Sequence, residues 1–192
     1  IWTIDYCARA INELNHYNLI PFVEPLRMDY KDGKWISKNT AEELVKLVGV
    51  IGARGDSSRN TWMKLPYCEG YDKVTLATTQ PILMLGGASN ENPTQTYYDF
   101  SAGMSTRSNV RGALVGRNVS FPGQEDPAAV ANAIYAIVHA GASGDEAVEI
   151  TMKHRNHKID YLRDLIGQYL GKQFRSQGSI YESTDHRRHR AN

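Results

Sequence analysis

Residues 61–71 read TWMKLPYCEGY, and the fold follows from how the first five are placed. Thr61–Leu65 is a short apolar run ending at Pro66, which reads as a buried strand. Side chains alternate along a strand, so Trp62 and Lys64 share one face while Met63 and Leu65 share the other. If Met63 and Leu65 pack on helices, Lys64 points to the far side of the sheet or into the interior of a barrel. An ammonium in that position costs several kcal/mol to desolvate unless it is paired or neutralised.

Working outward, the same pattern recurs on both sides. Ile4, Cys7, Ala8, Ile11 and Leu14 lie at helical spacing, with the helix ending near Asn15–Asn18. Leu19–Glu24 (LIPFVE) reads as a strand closed by Pro25, followed by a polar, glycine-containing stretch, Asp29–Ser37. Asn39-Thr40 can cap a helix carrying Leu44, Val45, Leu47, Val48 and Ile51. Beyond Pro66, a short helix near Tyr71–Ala77 leads to a third strand, Pro81–Leu85, stopped by Gly86-Gly87. Asn92-Pro93 starts a helix over Thr94–Met104, and Val110–Val115 is a fourth strand running into Gly116-Arg117-Asn118. Asp126-Pro127 is a cap and first-turn pair for a helix bearing Val130, Ile134, Ile137 and Val138. Four alternations of strand and helix imply parallel pairing through crossover connections.

Bulk properties narrow the function classes. With 22 Lys+Arg against 21 Asp+Glu the chain is nearly neutral, which supports neither a nucleic-acid footprint nor a basic membrane-binding surface. No apolar run reaches the roughly 18–20 residues of a membrane span. Cys7 and Cys68 have no metal-ligand spacing, the six His are scattered, and no disulfide framework is indicated, so a reducing cytoplasm is the expected compartment.

Chemistry concentrates at the strand ends. Glu24 closes the strand before the Lys-bearing one, and neighbouring strands lie about 4.8 Å apart. Glu24 and Lys64 are therefore expected to meet at the C-terminal edge of the sheet, where α/β proteins place their sites. Burial drives an amine toward its neutral, nucleophilic form, and a carboxyl beside it can shuttle protons. A plain buried ion pair is the alternative. Gly86-Gly87 and Gly116-Arg117 follow the next two strands, where backbone can approach a ligand and a guanidinium can grip a phosphate. Ordinary turns explain a lone Gly-Gly, but the two together favour a barrel over a doubly wound sheet. Tyr67 and Cys68 follow Lys64 and can line the pocket; Asp56–Asn60 precedes a strand and so belongs to the opposite edge; His139 reads as structural.

PFVEPL (21–26), MKLPYCEGY (63–71), PILMLGG (81–87) and ALVGRNVSF…DPAAV (113–130), in this order, resemble the DeoC/LacD-like class I (Schiff-base) aldolase superfamily over roughly residues 3–140. That group includes tagatose-bisphosphate and archaeal-type fructose-bisphosphate aldolases, and the chain looks closest to a bacterial branch of it. The resemblance implies a parallel (β/α)₈ TIM barrel with the Schiff-base lysine ending the sixth strand and phosphate bound after the seventh and eighth. On that plan Lys64 falls on the imine-forming position and Gly86, Gly87, Gly116 and Arg117 on the phosphate loops. Glu24 falls where the tagatose-bisphosphate type has a glutamate in its fifth strand; the archaeal type uses a tyrosine for proton transfer.

The expectation is thus an α/β fold in which residues 1–141 supply about the last four βα units of an aldolase-like barrel. A helical extension over 142–171 and a disordered basic tail over 172–192 would follow. The first four strands are absent from the sequence, which opens at Ile1 on a helical pattern as if cut from something longer. The expected activity is cleavage or formation of a C–C bond in a phosphorylated ketose or related sugar, with no cofactor and no metal. The expected partners are a phosphorylated sugar substrate and further copies of the chain in a homo-oligomer, with no nucleic acid and no membrane. A catalytically inactive phosphate-ligand-binding barrel, or another phosphosugar enzyme such as an isomerase, is the alternative.

Overall fold

The computed structural model describes residues 2–89 and 91–155. The chain divides into two units, 1–155 and 156–192, of which the second lies outside the described residues. The elements run α1 (Trp2–His16), β1 (Phe22–Val23), β2 (Met28–Lys31), β3 (Lys34–Ser37), α2 (Ala41–Gly52), β4 (Trp62–Pro66), α3 (Tyr71–Leu76), β5 (Ile82–Leu85), α4 (Thr94–Met104), β6 (Val110–Leu114), α5 (Arg117–Ser120), α6 (Pro127–Ala140) and α7 (Gly144–His154).

Strands β1, β4, β5 and β6 form a four-stranded sheet in that order, parallel throughout. It is a mixed α/β fold. The register sets Met63 beside Ile82 and Leu65 beside Met84, and all four side chains are fully buried. They meet Leu44, Val48, Val74, Phe100, Val130 and Ile137 from α2, α3, α4 and α6 in one apolar core. The alternate side chains look the other way. Trp62, Lys64, Leu83 and Leu85 are half-buried there, while Phe22 and Leu114 are 43% and 49% exposed. Among the described residues, helices cover only one face of the sheet.

Helix starts follow local chemistry. Thr40 accepts from the Glu43 N–H, Asp126 accepts from the Ala128 N–H ahead of Pro127, and Ser143 and Glu146 form a reciprocal capping box for α7. Helix α7 packs on α4 and α6, and Tyr97 and Thr151 share a buried 2.8 Å hydrogen bond. The rest of the helical stretch expected over 142–171, and the 172–192 tail, lie outside the described residues. No helix among the described residues is long and apolar enough to cross a membrane.

Two expectations change. The strand expected over Leu19–Glu24 is only Phe22–Val23. Asn18 takes a left-handed conformation (φ 55°) and the Leu19 N–H turns back to the Leu14 carbonyl at 2.9 Å, so Leu19 closes α1 instead of pairing in the sheet. The polar stretch Asp29–Ser37 is mostly an antiparallel hairpin, β2 with β3, turned by Asp32 (φ 51°) and Gly33 (φ 77°). Asp-Gly with both residues at positive φ is the two-residue turn whose twist suits a hairpin.

The one-sided packing makes opposite leucines unequal. In the 192-residue chain, Leu65→Ala should lower unfolding free energy by about 2–5 kcal/mol. Leu114→Ala should lower it by about 1 kcal/mol or less. Urea titration of the two variants checks this, and equal losses would contradict the face assignment.

Candidate active site

Pairing of Phe22 with Trp62 and Val23 with Met63 carries the chain directly to Glu24 alongside Lys64. Glu24 follows β1 and is succeeded by the buried Pro25. The Lys64 ammonium donates to Glu24 Oε2 at 2.9 Å, with the two side chains 22% and 39% exposed. The expected meeting of amine and carboxylate is therefore present, on the face turned away from the helices. Burial is partial, because that face is open among the described residues. Lys64 pairs in register with Leu83, and Phe22 and Trp62 hold their rings 6.3 Å apart on the same side.

The register Leu85↔Leu114 brings the ends of β5 and β6 together, so the two glycine segments leave the sheet side by side. They differ in kind. Gly87 has φ +69°, a left-handed conformation that strains other residues. Gly86 is required for space: a Cβ there would lie 2.9 Å from Val115 Cγ1 and 3.1 Å from Asn118 Nδ2. Gly116, at φ −121°, has nothing within 4 Å of a Cβ position, so the room beside it is open and its own conformation does not demand glycine. Arg117 opens the short helix α5, is exposed, and has no side-chain hydrogen bond or ion pair among the described residues.

Asn118 escaped the sequence reading except as the third letter of a motif. It is 5% exposed and donates through Nδ2 to the Gly86 carbonyl and, at 3.2 Å, to Thr96 Oγ1. A buried amide next to the exposed Arg117 is the signal, and it appears only once the loops are folded together.

Tyr67 and Cys68 do not line the amine's side of the sheet. Tyr67 continues the helix-facing series of Met63 and Leu65, with its ring 5.4 Å from that of Tyr71 and its edge beside Gly103 of α4. Cys68 is 9% exposed in the helix-side core. It borders a separate cavity of about 480 Å³ lined by residues that include Thr40, Glu42, Glu69 and Lys73, between the starts of α2 and α3. Burial, with a smaller push from Glu42, raises its thiol to about 11, which suppresses the thiolate. Burial likewise raises the Tyr67 and Tyr71 hydroxyls. Asp56 has the structural place expected of it: its carboxylate accepts from Asn15 at 2.9 Å and its N–H donates to Asn12 at 2.7 Å, tying α1 to the entry of β4. The His139 ring rests 4.4 Å from that of Tyr135 on α6. Among the described residues no group of three or more His, Cys, Asp or Glu gathers to hold a metal ion.

Residues 1–135 match the Cgl0159-like family. The chain belongs to that family. A solved structure of Cgl0159 from Corynebacterium glutamicum is similar, with 31% identity and a TM-score of 0.68, over 73% of this chain and 46% of that one. The chain therefore spans less than half the length of that solved relative. No curated protein matches the sequence.

A thiol raised to about 11 leaves on the order of one part in 10³ as thiolate near pH 8. Iodoacetamide labelling of Cys68 in the folded chain should therefore be far slower than in urea, and its rate should climb with pH until about 11. A rate that levels off near pH 8 would contradict the buried placement.

Proposed function

We propose that this chain supplies the second half of a (β/α)₈ barrel that acts as a Schiff-base aldolase on a phosphorylated ketose or related sugar. The observation that carries the reading is the 2.9 Å Lys64–Glu24 contact, which joins the middle of β4 to the residue just past β1 on the face without helices. The resemblance of the Lys64 strand and of the two glycine segments to the DeoC/LacD-like aldolases adds to it.

Two features support closure of the barrel. Parallel sheets are as a rule covered on both faces, and Phe22, Trp62, Leu83, Leu85 and Leu114 form an apolar inner face that four further strands would bury. Each large side chain so covered contributes about 1.5–3 kcal/mol. Helix α1 points the same way: of its expected stripe only Ile11 is buried, while Ile4 stays 40% exposed.

In the proposed reaction the uncharged Lys64 amine attacks the ketose carbonyl carbon, and loss of water leaves a protonated imine. Glu24 takes the proton that the amine must shed and gives it to the carbinolamine hydroxyl, which leaves as water, so the carboxylate is free again. It then takes the hydroxyl proton as the C–C bond breaks and the electron pair moves into the imine to give an enamine. Protonation of the enamine and hydrolysis of the imine free the second product and restore Lys64. The imine is the electron sink, so the route needs no organic cofactor. Arg117 and the N–H groups of the loops after β5 and β6 would hold the phosphate.

The test is steady-state turnover of the full-length protein containing this chain on a panel of phosphorylated ketoses and sugar acids. Lys64→Met should lower kcat by at least about 10³-fold, and Glu24→Gln by about 10²–10⁴-fold. Full turnover by Lys64→Met would reject the assignment.

A further inference from the structure

We infer that Asn118 is a positioning residue that locks the loops after β5 and β6 into a single preset cradle for a phosphate monoester. The inference rests on the anion-binding role given above to those loops.

The Gly86 carbonyl lies just past the last paired residue of β5, beyond the ladder with β6. Its donor is the Asn118 side chain. The second hydrogen of the same amide nitrogen reaches Thr96 Oγ1, at 3.2 Å, so one side chain spans the β5 loop, the start of α4 and helix α5. Its orientation is dictated chemically: turning the amide over would set its oxygen against the Gly86 carbonyl, acceptor against acceptor. At 5% exposure, water has little access to either bond. The glycine and the amide are matched, since a methyl at Gly86 would crowd that amide nitrogen at 3.1 Å. Sequence alone assigned Gly86 to close ligand approach; the structure assigns it to close loop approach, and leaves the open room to Gly116.

Further along the same loops, the Ser89 hydroxyl donates to the Phe121 carbonyl at 2.5 Å, and Gly123, at φ +73°, packs against the backbone of Glu91. The loops are thus clasped at two levels. Arg117, without a partner among the described residues, is the residue before Asn118 at the start of α5. An oxyanion entering there meets donors already placed, which avoids the cost of ordering two loops on binding.

Isothermal titration of the full-length protein with inorganic phosphate, alongside a thermal melt of each variant, separates the possibilities. Asn118→Ala should weaken phosphate by about tenfold or more, and raise KM more than it lowers kcat. Thr96→Val removes the other bond and keeps the Gly86 one, so it should bind within about twofold of the parent, as should Lys64→Met. If Asn118→Ala does not fold, Gly86→Ala pushes on the same amide from the opposite side and should show the same loss. Folded Asn118→Ala with unchanged phosphate affinity overturns the inference. So does a loss shared by Asn118→Ala and Thr96→Val in step with their melting temperatures. A parent that binds no phosphate overturns both the cradle and the inference. Asn118-dependent phosphate binding with turnover indifferent to Lys64→Met sustains the inference while removing the aldolase reading.

Discussion

On β4, Met63 and Leu65 are wholly buried between the sheet and its helices, and a strand offers only two faces. Lys64 is thereby forced to the opposite side, where an ammonium needs a counter-charge. Glu24 provides it because β1 pairs in parallel register with β4 and then stops at Pro25. The position of the amine is therefore a consequence of core packing: shifting β4 by one residue would bury the lysine in the helix layer and expose two core side chains. The sheet register, the ion pair and the use proposed for it stand or fall together.

The same alternation gathers Phe22, Trp62, Leu83, Leu85 and Leu114 on the inner face together with the Lys64–Glu24 pair. Phe22 and Trp62 lie at the strand starts, Lys64 is level with Leu83 in the middle of the sheet, and Glu24 follows the end of β1. In the closed barrel proposed above, this face would line the interior. The chain belongs to the Cgl0159-like family and spans 46% of a solved relative. The β2–β3 hairpin interrupts the step from Glu24 to α2 and is held at its base by Arg27–Asp29, Lys38–Asp29 and Arg27–Glu43 ion pairs. Lys38, hydrogen-bonded to Asp29, is the main reason that carboxyl sits below its usual range.

What sequence made legible was whatever depends on local period and punctuation. Strands β4, β5 and β6 announced themselves as apolar runs stopped by Pro66, Gly86 and Gly116, and helices α2 and α6 by their caps. The Glu24–Lys64 contact was legible because it needs only neighbouring strands and parity. The hairpin is hard to read from sequence because charged, exposed residues mask its alternation, and Asp32-Gly33 is its one cue. Leu19 is ambiguous in sequence because the residue that closes a helix and the one that starts a strand can both be apolar. The separate jobs of Gly86 and Gly116 were invisible for a deeper reason: they depend on which side chain from another loop arrives beside each glycine. That is a tertiary fact, and Asn118 carries it.

The most direct measurement is covalent capture. The full-length protein is mixed with a phosphorylated ketose that it turns over, reduced with borohydride, digested, and mapped by mass spectrometry. The account predicts one secondary-amine adduct on the peptide containing Lys64, absent without substrate. An adduct on a different lysine, or turnover with no adduct at all, would contradict it.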